Sequence, residues 1–247
     1  ENVINIYYTK RNDLSYKVNY LEKDTNKVLH DQKVQDGMTF KDTVNSQDEV
    51  IAIDGYNYDS VDKDTLEITT GENVINIYYT KRNDLSYKVN YLEKDTNKVL
   101  HTQKVVENMT FEDTVKSEDE KIEIAGYNYD SVDKETLKIT TGENVINIYY
   151  TKKDAKVIIH YYEENTTNKV SEDVEITGKV FDNYTTAKAE DVPTKYELIA
   201  EPENNTGTMT EEEITVIYYY RKKATQVNVH YYEEGTTNKL SEDVTIT

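Results

Sequence analysis

Verbatim repetition limits this chain's folding options more than any other feature: residues 1–30, ENVINIYYTKRNDLSYKVNYLEKDTNKVLH, recur letter for letter from Glu72 to His101, and the first dozen or so return with small changes from Glu143. The copies step by 71 residues from Glu1 to Glu72 to Glu143, and by 70 from Tyr91 to Tyr161 to Tyr231. A chain of 247 residues with this period is a row of small units rather than one large domain.

Each unit has a strand grammar. Tyr16, Val18 and Tyr20 alternate with Ser15, Lys17 and Asn19, the period of two that marks a half-buried strand. KDTNK then reads as a hairpin. Gly37 and Asn108 hold the same place in DGMTF and ENMTF, and both residue types enter positive φ readily, which predicts a left-handed turn. Thr39 with Asp42, and Thr110 with Asp113, have capping-box spacing and predict one short helix. VIAIDGYNY and KIEIAGYNY keep Ile51 and Ile53 as Ile122 and Ile124, while Val50, Ala52 and Asp54 become Lys121, Glu123 and Ala125. Changes confined to alternate positions predict a strand with one face in the core. ENVINIYYTK closes the unit with Ile75, Ile77 and Tyr79 on one face and Val74, Asn76 and Tyr78 on the other.

These signals set the expected boundaries. Residues 1–11 read as the closing strand of a preceding repeat, complete repeats follow at 12–82, 83–153 and 154–223, and residues 224–247 open a fourth. The chain thus reads as an interior piece. The linkers, KRND twice and then KKDA and KKAT, carry no Gly/Ser or Pro run, which predicts end-to-end coupling in a rod. A unit of about 70 residues has a radius of gyration of roughly 11 Å, so three in file span on the order of 100 Å.

Composition narrows the chemistry. No cysteine is present, so neither disulfides nor thiolate metal sites are available. A formal net charge of -19 speaks against nucleic acid, whose affinity comes from lysine and arginine displacing counterions. No apolar run is long enough for a membrane span, and no leader or sorting pattern is visible. Only 36% of residues are hydrophobic, but 23 tyrosines supply large rings for a folded core.

Residues 155–222 resemble the mucin-binding-protein (MucBP) repeats of Gram-positive bacterial surface adhesins. The matching features are Val157, Ile159 and Tyr161, TGK at Gly178, NYTT at Tyr184, Tyr196, NTG at Gly207, and Val216, Tyr218 and Tyr220. The opening of the fourth unit fits the same start. The first two units resemble divergent members that keep Gly55-Tyr56 and Gly126-Tyr127, whereas the third has Lys195 in the glycine's place. The resemblance implies an α+β, mostly β fold: tandem small β-grasp (ubiquitin-like) modules with first and last strands adjacent. It also implies an extracellular, cell-wall-attached surface protein that adheres to host mucin or other glycans.

Catalytic signatures are absent from the sequence. There is no phosphate loop, nucleophile motif or zinc spacing, so no enzyme activity, cofactor or metal is expected. His30, His101, His160 and His230 fall one per unit and read as solvated residues. DSVDKDT after Tyr58 lacks the glycine and ligand spacing of a calcium loop. Asn108, Asn165, Asn183 and Asn204 lie in N-x-Thr sequons, which carry no weight in a bacterial protein.

One candidate site follows from strand geometry. Adjacent tyrosines on a strand point to opposite faces, so if Tyr79, Tyr150, Tyr161 and Tyr220 are inside, Tyr78, Tyr149, Tyr162 and Tyr219 face outward, as do Tyr7 and Tyr232 in the partial units. An outward ring can stack on a sugar, and its hydroxyl can hydrogen-bond. Tyr162, Tyr219, Tyr78, Tyr149 and Tyr232 are therefore candidate glycan contacts; alternatively the rings only cover neighbouring strands or the next unit. Two functions remain open: a non-catalytic adhesin stalk with glycan binding, and a purely structural spacer or fibre-forming segment that projects a distal binding domain.

Overall fold

The computed structural model describes residues 2–246. The first repeat contains β1 (Leu14–Glu22), β2 (Val28–Met38), β3 (Thr43–Asn45), β4 (Tyr56–Val61), β5 (Thr65–Glu67) and β6 (Val74–Lys81). Four of these form a mixed sheet in the order β2-β1-β6-β4, and β3 pairs with β5. First and last strands are parallel neighbours, with Val18 opposite Ile75 and Tyr20 opposite Ile77. The second repeat, with β7 (Leu85–Glu93), β8 (Val99–Met109), β9 (Thr114–Lys116), β10 (Tyr127–Val132), β11 (Thr136–Lys138) and β12 (Val145–Lys152), has the equivalent order β10-β12-β7-β8.

The third repeat contains β13 (Asp154–Glu163), β14 (Val174–Lys179), β15 (Asn183–Thr185), β16 (Tyr196–Leu198), β17 (Thr206–Thr208) and β18 (Ile214–Lys222), in a sheet ordered β14-β13-β18-β16 with a separate β15-β17 pair. Beyond it, β19 (Val227–Tyr232) and β20 (Lys239–Ile246) form an antiparallel hairpin. The chain divides into two compact units, Glu1–Ile122 with Tyr129–Tyr149 and Glu123–Asn128 with Tyr150–Thr247, so the division runs through the second repeat. Val3, Ile4, Ile6, Tyr7 and Tyr8 match the sequence of β6, but they are exposed and belong to no strand.

The strand faces follow the alternation in the sequence. Tyr16, Val18, Tyr20, Ile75, Ile77 and Tyr79 are buried in one core, whereas Lys17 and Asn76 on the opposite face are only half-buried. Ile75 and Ile77 are completely excluded from solvent, each worth about 1.5 to 3 kcal/mol of burial. The tyrosines add anchoring, because a buried hydroxyl needs a partner. Tyr79 donates to the Ile51 carbonyl at 2.9 Å and accepts from the Ile51 N–H at 3.2 Å. In the third repeat Tyr161 donates to the Ala187 carbonyl at 3.0 Å, and Tyr220 accepts from the Ala189 N–H at 3.1 Å.

That anchoring corrects one expectation. Ile51 and Ile53 pack against the core on the expected face, yet residues 51–53 belong to no strand. The Tyr79 hydroxyl serves the Ile51 backbone where a ladder partner was expected. A second correction concerns the helix at Thr39 and Thr110. Asp42 does accept from the Thr39 N–H at 2.9 Å, as in a capping box, but Lys41 has φ 69° and gives its N–H to the Ile68 carbonyl. Glu112, with φ 70° and bonded to the Ile139 carbonyl, does the same at Thr110. Left-handed backbone at the third position makes a turn and stops a helix. Among the described residues the helical content is two short 3-10 turns, Ser46–Glu49 and Ser117–Glu120, so the fold is mostly β. Gly37 and Asn108 do have positive φ, 78° and 61°, but as the extra residue of a bulge inside β2 and β8 rather than in a turn.

The recurring Gly-Tyr pairs acquire a structural role. Within the first unit, the Arg82 N–H donates to the Gly55 carbonyl at 2.9 Å, and its own carbonyl accepts from the Phe111 N–H at 2.8 Å. The Phe111 ring lies over Gly55 and meets Tyr56 edge-on at 5.6 Å. Glu112 draws in Lys81 at 3.0 Å, Lys138 at 2.8 Å and Lys27 at 3.8 Å. Hydrogen bonds from Lys138 and Lys81 hold its carboxyl at about 2. Within the second unit the construction recurs, with Lys153 between Gly126 and Val180 and the Phe181 ring over Gly126.

Candidate functional site

The alternation that buries Tyr161 and Tyr220 turns Tyr162 and Tyr219 outward, and the parallel register of β13 and β18 makes these two residues direct partners. Tyr219 is 42% exposed and Tyr162 half-buried. Tyr162 stacks on His160, two residues back on the same face, with ring centres 5.4 Å apart and planes 15° from parallel. His160 is therefore not the solvated residue expected from the sequence. Its Nδ1 lies 3.0 Å from Asp173. Lys169, bonded to Asp173 at 2.9 Å, is the main reason that carboxyl lies below its usual range.

Beside the pair, Tyr219 and Ile199 border an open groove of about 700 Å³ that is completed by Glu164, Asn165, Thr166 and Thr167 of the β13-β14 hairpin. The hairpin is held in place by the Glu164 N–H on the Tyr220 carbonyl at 2.8 Å, and Ile199 by its N–H on the Tyr219 carbonyl at 3.0 Å. Glu163, the residue before Glu164, takes Lys222 at 2.9 Å and the Tyr196 hydroxyl at 3.2 Å, and the Lys222 bond lowers its pKa.

The other candidates are placed differently. Tyr78 is half-buried opposite Leu21, and Tyr149 is half-buried in the second repeat. Tyr232 is 52% exposed on the terminal hairpin, and Tyr7 stands free of any strand. On the first repeat's outer face Asn19 donates to Asn76 at 2.8 Å, Gln32 donates to Asn19 at 2.6 Å, and Asn76 donates to Asp62 at 3.0 Å. The second repeat has Asn90 donating to Asn147 and Gln103 donating to Asn90. His160 and Ile217 replace those asparagines in the third repeat.

Sequence reasoning missed Glu164 and Ile199. The signal was available in the comparison of copies. At the place of Glu164 the first two repeats have Lys23 and Lys94, and these reach across the last strand to Asp59 at 2.8 Å and Asp130 at 2.7 Å. The third repeat replaces the lysine with Glu164 and puts Ile199 where the aspartate stood, so no ion pair covers the groove. Among the described residues no group of His, Cys, Asp and Glu is placed to hold a metal ion.

Residues 156–221 match the MucBP domain. Internalin J of Listeria monocytogenes serotype 4b (strain F2365) is 32% identical over 237 residues, which cover 91% of this chain and 25% of that protein. The chain thus spans about a quarter of that relative's length. Among solved structures, the Bacillus anthracis TIE protein aligns at 12% identity and a TM-score of 0.45 over 91% of this chain and 52% of its own. The type 2 repeat of the mucus binding protein MUB from Lactobacillus reuteri aligns at 11% identity and a TM-score of 0.21 over 85% of this chain and 100% of its own. The sheet that carries Tyr162 and Tyr219 lies within the residues that match the MucBP domain.

Proposed function

We propose that this chain is a non-catalytic repeat region of a bacterial surface adhesin, in which the third repeat binds glycan on Tyr162 and Tyr219 and the first two serve as spacers. The observation that carries the reading is the pairing of two outward tyrosines beside an open groove in the repeat that matches the MucBP domain. Two rings set side by side on neighbouring strands offer a platform for the apolar face of a sugar, worth about 1 kcal/mol per ring. Such weak contacts become useful when several copies engage together.

The spacer role of the first two repeats is supported by what occupies their outer faces. A chain of side-chain hydrogen bonds and the Lys23–Asp59 and Lys94–Asp130 ion pairs occupy polar groups that a ligand would need. Parallel pairing of first and last strands supports a reduced β-grasp module. The match to the MucBP domain supports an extracellular, wall-attached placement. Tyr78, Tyr149 and Tyr232 are assigned to covering their own strands.

The test is binding of the full chain to immobilised mucin and to a glycan array. Tyr162→Ala with Tyr219→Ala should abolish the signal while the melting curve stays close to that of the parent, since both rings lie outside the core. A double variant that binds normally would leave the spacer reading alone.

A further inference from the structure

We infer that the groove of the third repeat selects a neutral, hydroxyl-rich sugar over an acidic one, and that Glu164 is the residue that sets the choice. This rests on the glycan reading of the Tyr162–Tyr219 face. The groove, at about 700 Å³, has the size of a small-ligand cleft and is lined by one carboxylate, one amide, two hydroxyl groups, one aliphatic chain and one ring, with no cation.

The charges around it are arranged against anions. Arg221 lies two residues from Tyr219 on the same face, but its Nε is held by Glu197 at 2.7 Å. Lys222 is likewise engaged by Glu163. A sialate or sulfate entering beside Tyr219 would meet the Glu164 carboxylate and a guanidinium already paired with Glu197. No long-range attraction compensates, because the chain carries a net charge of -19.

A neutral sugar suits the same groups. Among the described residues the Glu164 side chain makes no hydrogen bond and is exposed, so both oxygens can accept from vicinal sugar hydroxyls. Bonds to a charged acceptor are the strong ones. Asn165 and Thr167 can both donate and accept, Tyr219 offers its ring, and Ile199 offers an apolar wall for an acetamido methyl. The exchange of Lys23 and Asp59 for Glu164 and Ile199 accounts for the specificity in one step: it opens the groove and inverts the charge on its rim.

The experiment presents the full chain to immobilised N-acetyllactosamine, its 3′-sialyl derivative and its 6-sulfo derivative. Neutral binding should exceed acidic binding by about tenfold or more, a difference of about 1.4 kcal/mol. Glu164→Gln should weaken binding to the neutral probe and narrow the ratio, and Glu164→Lys should bring the acidic probes level or ahead, with melting curves unchanged at this exposed site. Tighter binding of the sialyl or sulfo probe by the parent chain, or an unchanged ratio in Glu164→Gln, would overturn the inference while the tyrosine site stands. Absence of binding to all three probes and to mucin would overturn the glycan reading and this inference with it.

Discussion

Phe111 lies over Gly55 so closely that any β-carbon at residue 55 would collide with its ring. Gly55 also has φ +80°, a conformation that costs a side chain about 1 kcal/mol or more even in open space. Gly55→Ala should therefore lose about 2 to 3 kcal/mol in local stability, from backbone strain together with loss of the Phe111–Tyr56 edge contact. Hydrogen exchange at the Phe111 and Arg82 amides, which bond across this junction, is the direct readout. Unchanged protection at both would refute a docking role for the glycine.

Acid should weaken the same junction in a defined window. Glu112 titrates at about 2 rather than 4.5 because Lys138 and Lys81 bond its charged form. A depressed carboxyl contributes stability that is complete above its unfolded pKa and disappears as pH falls through its folded pKa. The parent chain should therefore exceed Glu112→Gln by about 1 kcal/mol or less at pH 6, and the gap should close between about pH 4.5 and pH 2. Melting temperatures of the two chains across that range decide it.

A buried carboxylate in each of the first two repeats makes a sharper prediction. Tyr16 donates to Glu49 at 2.7 Å and Lys33 pairs with its other oxygen at 2.6 Å. Burial alone would raise the Glu49 pKa, but the bonds from Lys33 and Tyr16 prevail and lower it. Glu49→Ala should cost about 1.5 to 3 kcal/mol by leaving the Tyr16 hydroxyl buried without its acceptor. The Glu49 contribution should fade only below the ordinary carboxylate range. In the second repeat burial and the bond to Glu120 raise the Tyr87 hydroxyl to about 12, so its deprotonation should appear late in an alkaline absorbance titration.

Salt should distinguish stacking from charge attraction at the glycan face. Binding to acidic mucin should hold or rise as ionic strength increases, because salt screens repulsion over a Debye length of about 8 to 10 Å. A steep fall with salt would mean that a cation, rather than the paired rings, supplies the affinity.

The groove should also be transferable. Lys23→Glu with Asp59→Ile removes the ion pair that covers the first repeat's equivalent surface, and Leu21→Tyr places a second ring opposite Tyr78. The triple variant in a Tyr162→Ala, Tyr219→Ala background should regain binding to the neutral probe. If it folds and stays silent, the groove depends on features beyond these positions.

The sequence by itself determined which residues face inward. Tyr16, Val18, Tyr20, Ile75, Ile77 and Tyr79 could be assigned because a strand's period of two is local, and because copies within one chain showed which side tolerates change. It also determined positive φ at Gly37 and Asn108, since that preference resides in the residue type. Tertiary structure decided where local signals compete with distant partners. Thr39 and Asp42 form the hydrogen bond of a helix start, but the Ile68 carbonyl captures the Lys41 amide and makes a turn. Ile51 keeps its face and loses its ladder because the Tyr79 hydroxyl occupies both backbone groups. The pairing of Tyr162 with Tyr219 and the opening beside Ile199 arise from the register of a parallel strand pair and the strand beyond it. Such a register is set by packing of the whole core, which no local window of sequence contains.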